Sequence, residues 1–164
     1  AVQASFEVPG DFHPRKCNSK KTYEYRILNR RFPLPTLRRD TYFYYYPLDV
    51  EKMNRAAACL VGTHDFKSLF HSQSGPGYGA PSVFLHRDQG GGSGYPPRYG
   101  GGFLYNMVRI IAGTLIEVGG GSRPPEEVAV ILAGRDRALA GPTAPAHGLT
   151  MMGIEFEDLQ KEGI

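Results

Sequence analysis

Arg109 is the charged residue most at odds with its surroundings, lying between Val108 and Ile110 inside the apolar run Phe103 to Val118. Two readings stand for it. An amphipathic helix needs a polar side, and Arg109 could simply mark that side. The run is so apolar, however, that little solvated face is left, and its neighbours one turn away, Tyr105 and Gly113, offer no polar partner. The second reading therefore points the guanidinium at a carboxylate or a phosphate. A second chemistry-bearing region lies near the start of the chain. Residues 1–40 hold nine Lys or Arg against four acids, interleaved and followed by Tyr23, Tyr25, Phe32 and the run Tyr42 to Tyr46. Cations alternating with aromatic rings suit a phosphate-binding surface with base-stacking groups; a solvated basic strand pair beside a Tyr-rich core has the same composition.

Other chemistries find no support. The five histidines show no ligand spacing, and Cys17 and Cys59 stand far apart, so no zinc site or disulfide framework is signalled. The isolated cysteines suit a reducing, cytoplasmic compartment. Glycine runs at 90–94 and 100–102 are neither fed by a strand nor followed by Lys-Ser or Lys-Thr, which excludes a phosphate-cradling loop of the usual kind. Nucleophile elbows are absent. No apolar run approaches the ~20 residues of a membrane span, and the N-terminal residues lack the order of a signal peptide.

The 164 residues suit one domain with a substantial core. Val2 to Val8 reads as a short strand ending at Pro9-Gly10. Lys21 to Leu28 alternates, with Tyr23, Tyr25 and Ile27 on one face, and Thr41 to Tyr46 reads as another strand. Asp49 is placed to cap a helix over Val50 to Val61, with Met53, Ala56, Ala57 and Leu60 at helical spacing. Phe103 to Val118 is the strongest helix, closed by Gly119-Gly120-Gly121. Ser122 is expected to cap a third helix running to Ala133, and Gly148 to Phe156 reads as the last strand. Strands and helices mix without a βαβ rhythm, so the expected class is α+β. Residues 71–102 are anomalous: ten of the 21 glycines and four prolines fall there, with little apolar pattern.

The run from Phe103 through Arg109 to Gly119 resembles the signature helix of the TruA-type tRNA pseudouridine synthases. Asp11-Phe12-His13-x-Arg15 with Ser19-Lys-Lys-Thr-Tyr23-x-Tyr25 is similar to that family's F-x-A-R and S-K-T-Y-x-Y block. Tyr46-Pro-Leu-Asp49, Asp65-Phe66-Lys-Ser68, and the stretch from Asp136-Arg137 to Gly148-Leu149 resemble its later motifs in the same order. The likeness covers most of residues 5–158, apart from roughly 71–100.

The resemblance implies an α+β domain, a mixed or antiparallel sheet with helices on one face, from a two-domain enzyme that usually forms a homodimer. It implies isomerisation of uridine to pseudouridine in the tRNA anticodon arm, at positions 38 to 40, without metal or organic cofactor. An Asp carboxylate is the catalytic group of such enzymes, and the target base leaves the stack. By the match, Arg109 pairs with that Asp and Tyr23 stacks near the flipped uracil, where it can take the proton from C5. Leu104 and Met107 pack beside the base, and Arg15, Lys20 and Lys21 are candidates for phosphate contacts.

Two departures accompany the likeness. The family's R-T-D-x-G-x-H motif, which carries the Asp, is absent. Residues 1–164 therefore read as the C-terminal domain alone, inactive by itself. After Asp65-Phe66-Lys-Ser68 the family continues into a strand pair with a T-V-R motif, whereas this chain turns glycine-rich; a change of reading frame between the matched flanks would account for that, and a functional arm or a disordered insertion is the alternative reading. The rival class is a non-catalytic RNA-binding module or remnant that keeps the basic surface without the chemistry.

Overall fold

The computed structural model describes residue 2 and residues 5–14, 19–62, 64–71 and 103–156. Of the anomalous stretch 71–102 all but His71 lies outside the described residues, as does Arg15, and for Lys20 only the backbone is described. Four strands and three helices are found among the described residues: β1 (Ser19–Tyr25), β2 (Ile27–Asn29), β3 (Tyr42–Tyr44), α1 (Val50–Ala58), α2 (Met107–Gly119), α3 (Glu127–Gly134) and β4 (Leu149–Phe156). This is the α+β class read from the sequence. β1 pairs antiparallel with β4, whereas β2 pairs parallel with β3.

The expected strand over Lys21 to Leu28 is divided at Arg26. Its N–H donates to the Gly148 carbonyl at 2.8 Å and its carbonyl accepts from Tyr42 N–H at 2.9 Å, so one residue hands the chain from one sheet to the other. Residues 5–8 are not a strand; the Phe12 N–H bonded to the Pro9 carbonyl at 2.9 Å closes the turn expected there.

α1 starts where Asp49 predicts. Its carboxylate accepts from Lys52 N–H at 3.0 Å, and that backbone bond holds the acid below the usual carboxylate range. Met53, Ala56, Ala57 and Leu60 are all buried.

α2 is the central helix. Every residue from Ile110 to Ile116 is buried, because α1 lies against it, β1 packs on it and the segment 140–144 closes over it. The helix begins four residues later than expected. Asn106 takes a left-handed conformation (φ 60°), which Asn tolerates better than most residues, and the Met107 N–H bonds back to the Leu104 carbonyl at 3.0 Å. Phe103 to Asn106 is thus a turn. At the far end Gly121 supplies the positive φ of +81° that ends the helix.

Ser122 does not cap α3. Its N–H donates to the Glu117 carbonyl at 2.9 Å and so belongs to the end of α2, while Pro124 and Pro125 hold the chain in a turn until Glu127. Arg123 joins the two helices instead, donating to Glu117 Oε2 at 2.6 Å, to Glu127 Oε1 at 2.5 Å and to the Leu139 carbonyl at 3.0 Å.

Candidate active site

Arg109 projects from the first turn of α2, half-buried. Its Nε donates to the Ala144 carbonyl at 2.7 Å, and its Nη1 donates to Asn106 Oδ1 at 3.0 Å. Both acceptors are neutral, and no carboxylate of the described residues forms an ion pair with it. A guanidinium carries five N–H donors, so the remaining edge keeps both its charge and its hydrogen-bonding capacity. Asn106, three residues earlier, is the polar neighbour that a search one full turn away overlooks.

Two glycines create the contact with Ala144. A Cβ on Gly113 would fall 1.8 Å from the Pro142 carbonyl oxygen, and a Cβ on Gly141 would fall 2.7 Å from Thr114 Cα. Without side chains at these positions, residues 140–144 run directly against α2. Gly141 N–H donates to Thr114 Oγ1 at 3.0 Å, and Ala144 N–H donates to the Arg109 carbonyl at 3.0 Å. Arg109 and Ala144 are therefore tied twice, through backbone and side chain.

β1 supplies the aromatic side. Lys21, Tyr23 and Tyr25 alternate onto one face, and the strand runs on continuously because the irregularity in the pairing, between Thr22 and Tyr23, adds its extra residue, Met152, to β4. Tyr23 meets Phe103 edge to face, with centroids 4.9 Å apart and planes at 83°. Tyr25 donates its hydroxyl proton to the Pro145 carbonyl at 2.7 Å. Burial pushes the Tyr25 pKa well above that of an ordinary tyrosine; the nearby Tyr42 adds to the rise and the Arg109 cation opposes it. Tyr25 is thus a fixed donor through the whole physiological range.

That shift has a measurable consequence. Folded Tyr25 holds its proton more tightly than the unfolded chain does, so its contribution is complete below the ordinary tyrosine pKa of about 10 and is lost as pH rises from there toward the higher native value. Unfolding stability should fall with a steeper slope above pH ~10 in the parent than in Tyr25→Phe; equal alkaline slopes in urea titrations would contradict the assignment.

The remaining sequence candidates are distributed differently. Leu104 is half-buried against the core cluster, while Met107 is 1% exposed and lies wholly within it. Lys21 is half-buried on β1, opposite Ile154, and the Lys20 backbone pairs with Glu155. Of the tyrosine run, Tyr42 and Tyr44 pack against the core, whereas Tyr45 and Tyr46 are exposed and meet edge to face at 5.4 Å. The run is thus divided between the core and the surface. Tyr25, Phe103 and Asn106 were not singled out as site residues; the alternation that selects Tyr23 also puts Tyr25 on its face, while the parts played by Phe103 and Asn106 depend on the left-handed turn.

The fold and this cluster describe an α+β domain that presents one oriented cation beside an aromatic wall. A family model described as tRNA pseudouridine synthase matches residues 56–157. The tRNA pseudouridine synthase A of Halalkalibacterium halodurans is 49% identical over 151 residues, covering 90% of this chain and 57% of that protein. Those of Moorella thermoacetica and Myxococcus xanthus are each 42% identical, over 163 and 161 residues, covering 95% and 96% of this chain and 64% and 60% of theirs. The chain belongs to the TruA-type tRNA pseudouridine synthase family. It spans about three-fifths of the length of these relatives.

Proposed function

We propose that this chain is the Arg-bearing C-terminal domain of an enzyme that converts uridine to pseudouridine in the tRNA anticodon arm, at positions 38 to 40. The observation that carries the reading is the Arg109 guanidinium, aimed by two neutral oxygens and left with its charge unneutralised by them. Such a group suits a carboxylate delivered to its open edge, held ionised by a bidentate pair. That carboxylate is the Asp of the R-T-D-x-G-x-H motif, contributed by a domain outside these 164 residues, so the chain by itself does not catalyse.

In the reaction the N1–C1′ bond breaks, the uracil turns over, C5 bonds to C1′, the C5 proton leaves and N1 gains a proton, with no net change in atoms. Tyr23 stands beside the uracil, where its hydroxyl can shuttle the C5 proton, taking it up as its own proton passes on to solvent. Leu104 meets the base, and Met107 supports that wall from the core. Arg15, Lys20 and Lys21 contact phosphates. The working assembly is a homodimer acting in the cytoplasm; among the described residues no helix is long and apolar enough to cross a membrane.

A tRNA carrying tritium at uracil C5 tests the reading, because isomerisation must expel that hydrogen. Release by the complete enzyme, abolished by substitution of Arg109, upholds it; binding without release would make the protein an RNA-binding module. Lys21, on the face of Tyr23 and Tyr25, gives a further expectation. Lys21→Ala should weaken tRNA binding and reduce the slope of log K against log salt by roughly 0.7–0.9. An unchanged slope would remove Lys21 from the phosphate contacts.

A further inference from the structure

The segment Thr143-Ala144-Pro145 is held at each of its residues by a side chain from elsewhere. Thr143 Oγ1 accepts from Arg137 Nη2 at 3.3 Å and lies 3.5 Å from His71 Nε2. The Ala144 carbonyl receives Arg109 Nε at 2.7 Å, and the Pro145 carbonyl receives the Tyr25 hydroxyl at 2.7 Å. Tyr25 is itself braced, because its ring fits against Gly148, where a Cβ would fall 2.8 Å from Cζ. Arg137 also donates to the Ala140 carbonyl at 3.3 Å, anchoring the chain that leads into the segment.

We infer that residues 143–145 form a strap that sets the direction of the Arg109 guanidinium, with Tyr25 and Thr143 as its positioning residues. Tyr25 acts one peptide unit away from the carbonyl that Arg109 uses: its hydrogen bond fixes the Pro145 carbonyl, and the strap between that anchor and Thr143 has little freedom to turn the Ala144 carbonyl elsewhere. A bidentate pair with a carboxylate demands a fixed guanidinium plane, and a misplacement of about 1 Å can cost roughly 10²-fold in rate. The catalytic consequence rests on the pseudouridine synthase reading above; the orientation of Arg109 does not.

The test uses Tyr25→Phe, which keeps the ring and removes only the hydroxyl, and Thr143→Val, which removes the other anchor. Thr143→Ser restores a hydroxyl. Exchange of the Arg109 Nε proton with water, followed by ¹⁵N NMR on the full chain and assigned by loss of its signal in Arg109→Lys, reads the Ala144 bond directly. The expected result is exchange faster by at least about tenfold in Tyr25→Phe and in Thr143→Val, with near-parent exchange in Thr143→Ser. Unchanged exchange in the first two, at whatever cost in stability, overturns the proposal. In the complete enzyme, Tyr25→Phe should lower kcat by roughly tenfold to 10²-fold while KM for tRNA changes less than about twofold. Faster exchange in proteins that release no tritium would uphold the strap and overturn the isomerase reading instead.

Discussion

Replacing Arg109 by Lys in the complete enzyme should lower kcat for pseudouridine formation by roughly 10³-fold while tRNA affinity stays within about threefold. Lys keeps the charge but not the geometry. Its ammonium is a point donor and cannot engage the Ala144 carbonyl, Asn106 Oδ1 and an incoming carboxylate in one plane, as the Arg109 fork is placed to do. Oriented electrostatic groups of this kind are worth several kcal/mol in the transition state. Arg109→Ala should cost more in rate and about 1 kcal/mol in stability, because the Ala144 carbonyl loses its side-chain donor. Single-turnover tritium release against measured tRNA binding separates the outcomes. Equal losses of rate and affinity would make Arg109 a phosphate contact.

Gly113→Ala should destabilise the domain by about 3 kcal/mol, although Ala is favoured over Gly in a helix by roughly 1 kcal/mol. The new Cβ meets backbone, 1.8 Å from the Pro142 oxygen and 2.9 Å from its carbon, so no rotamer change relieves it. Residues 140–142, which lead into the strap, must lift and take it with them, which threatens the bonds from Gly141 N–H to Thr114 and from Ala144 N–H to Arg109, each worth about 1 kcal/mol. For a domain of this size the melting temperature should fall by roughly 6–12 °C. Gly10→Ala is the matched control, since nothing lies within 4 Å of its added Cβ. If thermal melts of the two variants coincide, the close approach of strap and helix is refuted.

Much of this site was legible because its signals are local. Asp49 before an amphipathic run marks a helix start in any context, and the alternation from Lys21 onward selects the face of Tyr23. Arg109 stood out for the reason that matters: a helix buried nearly all round has no solvated side to spare. What escaped depends on partners distant in sequence. Gly113 and Gly141 look like ordinary glycines until α2 and the strap meet. Asn106 lies inside a run whose periodicity continues through Phe103, and only its positive φ shows that the helix starts after it. Ser122 had the right residue type for a cap, but the end of α2 claimed its N–H first.

The pairing of β1 with β4 has a consequence for how the chain is made. Tyr25 sits opposite Leu149, so the first strand leaves the ribosome more than a hundred residues before its partner exists. At typical rates of ~5–20 residues per second, that is a wait of roughly 5–25 s. Until then β1 is an open edge, able to pair with other chains, and Tyr25 has no Pro145 carbonyl to grip. The Tyr25 hold on the strap can therefore form only after synthesis has passed Pro145, which places this brace late in the making of the domain.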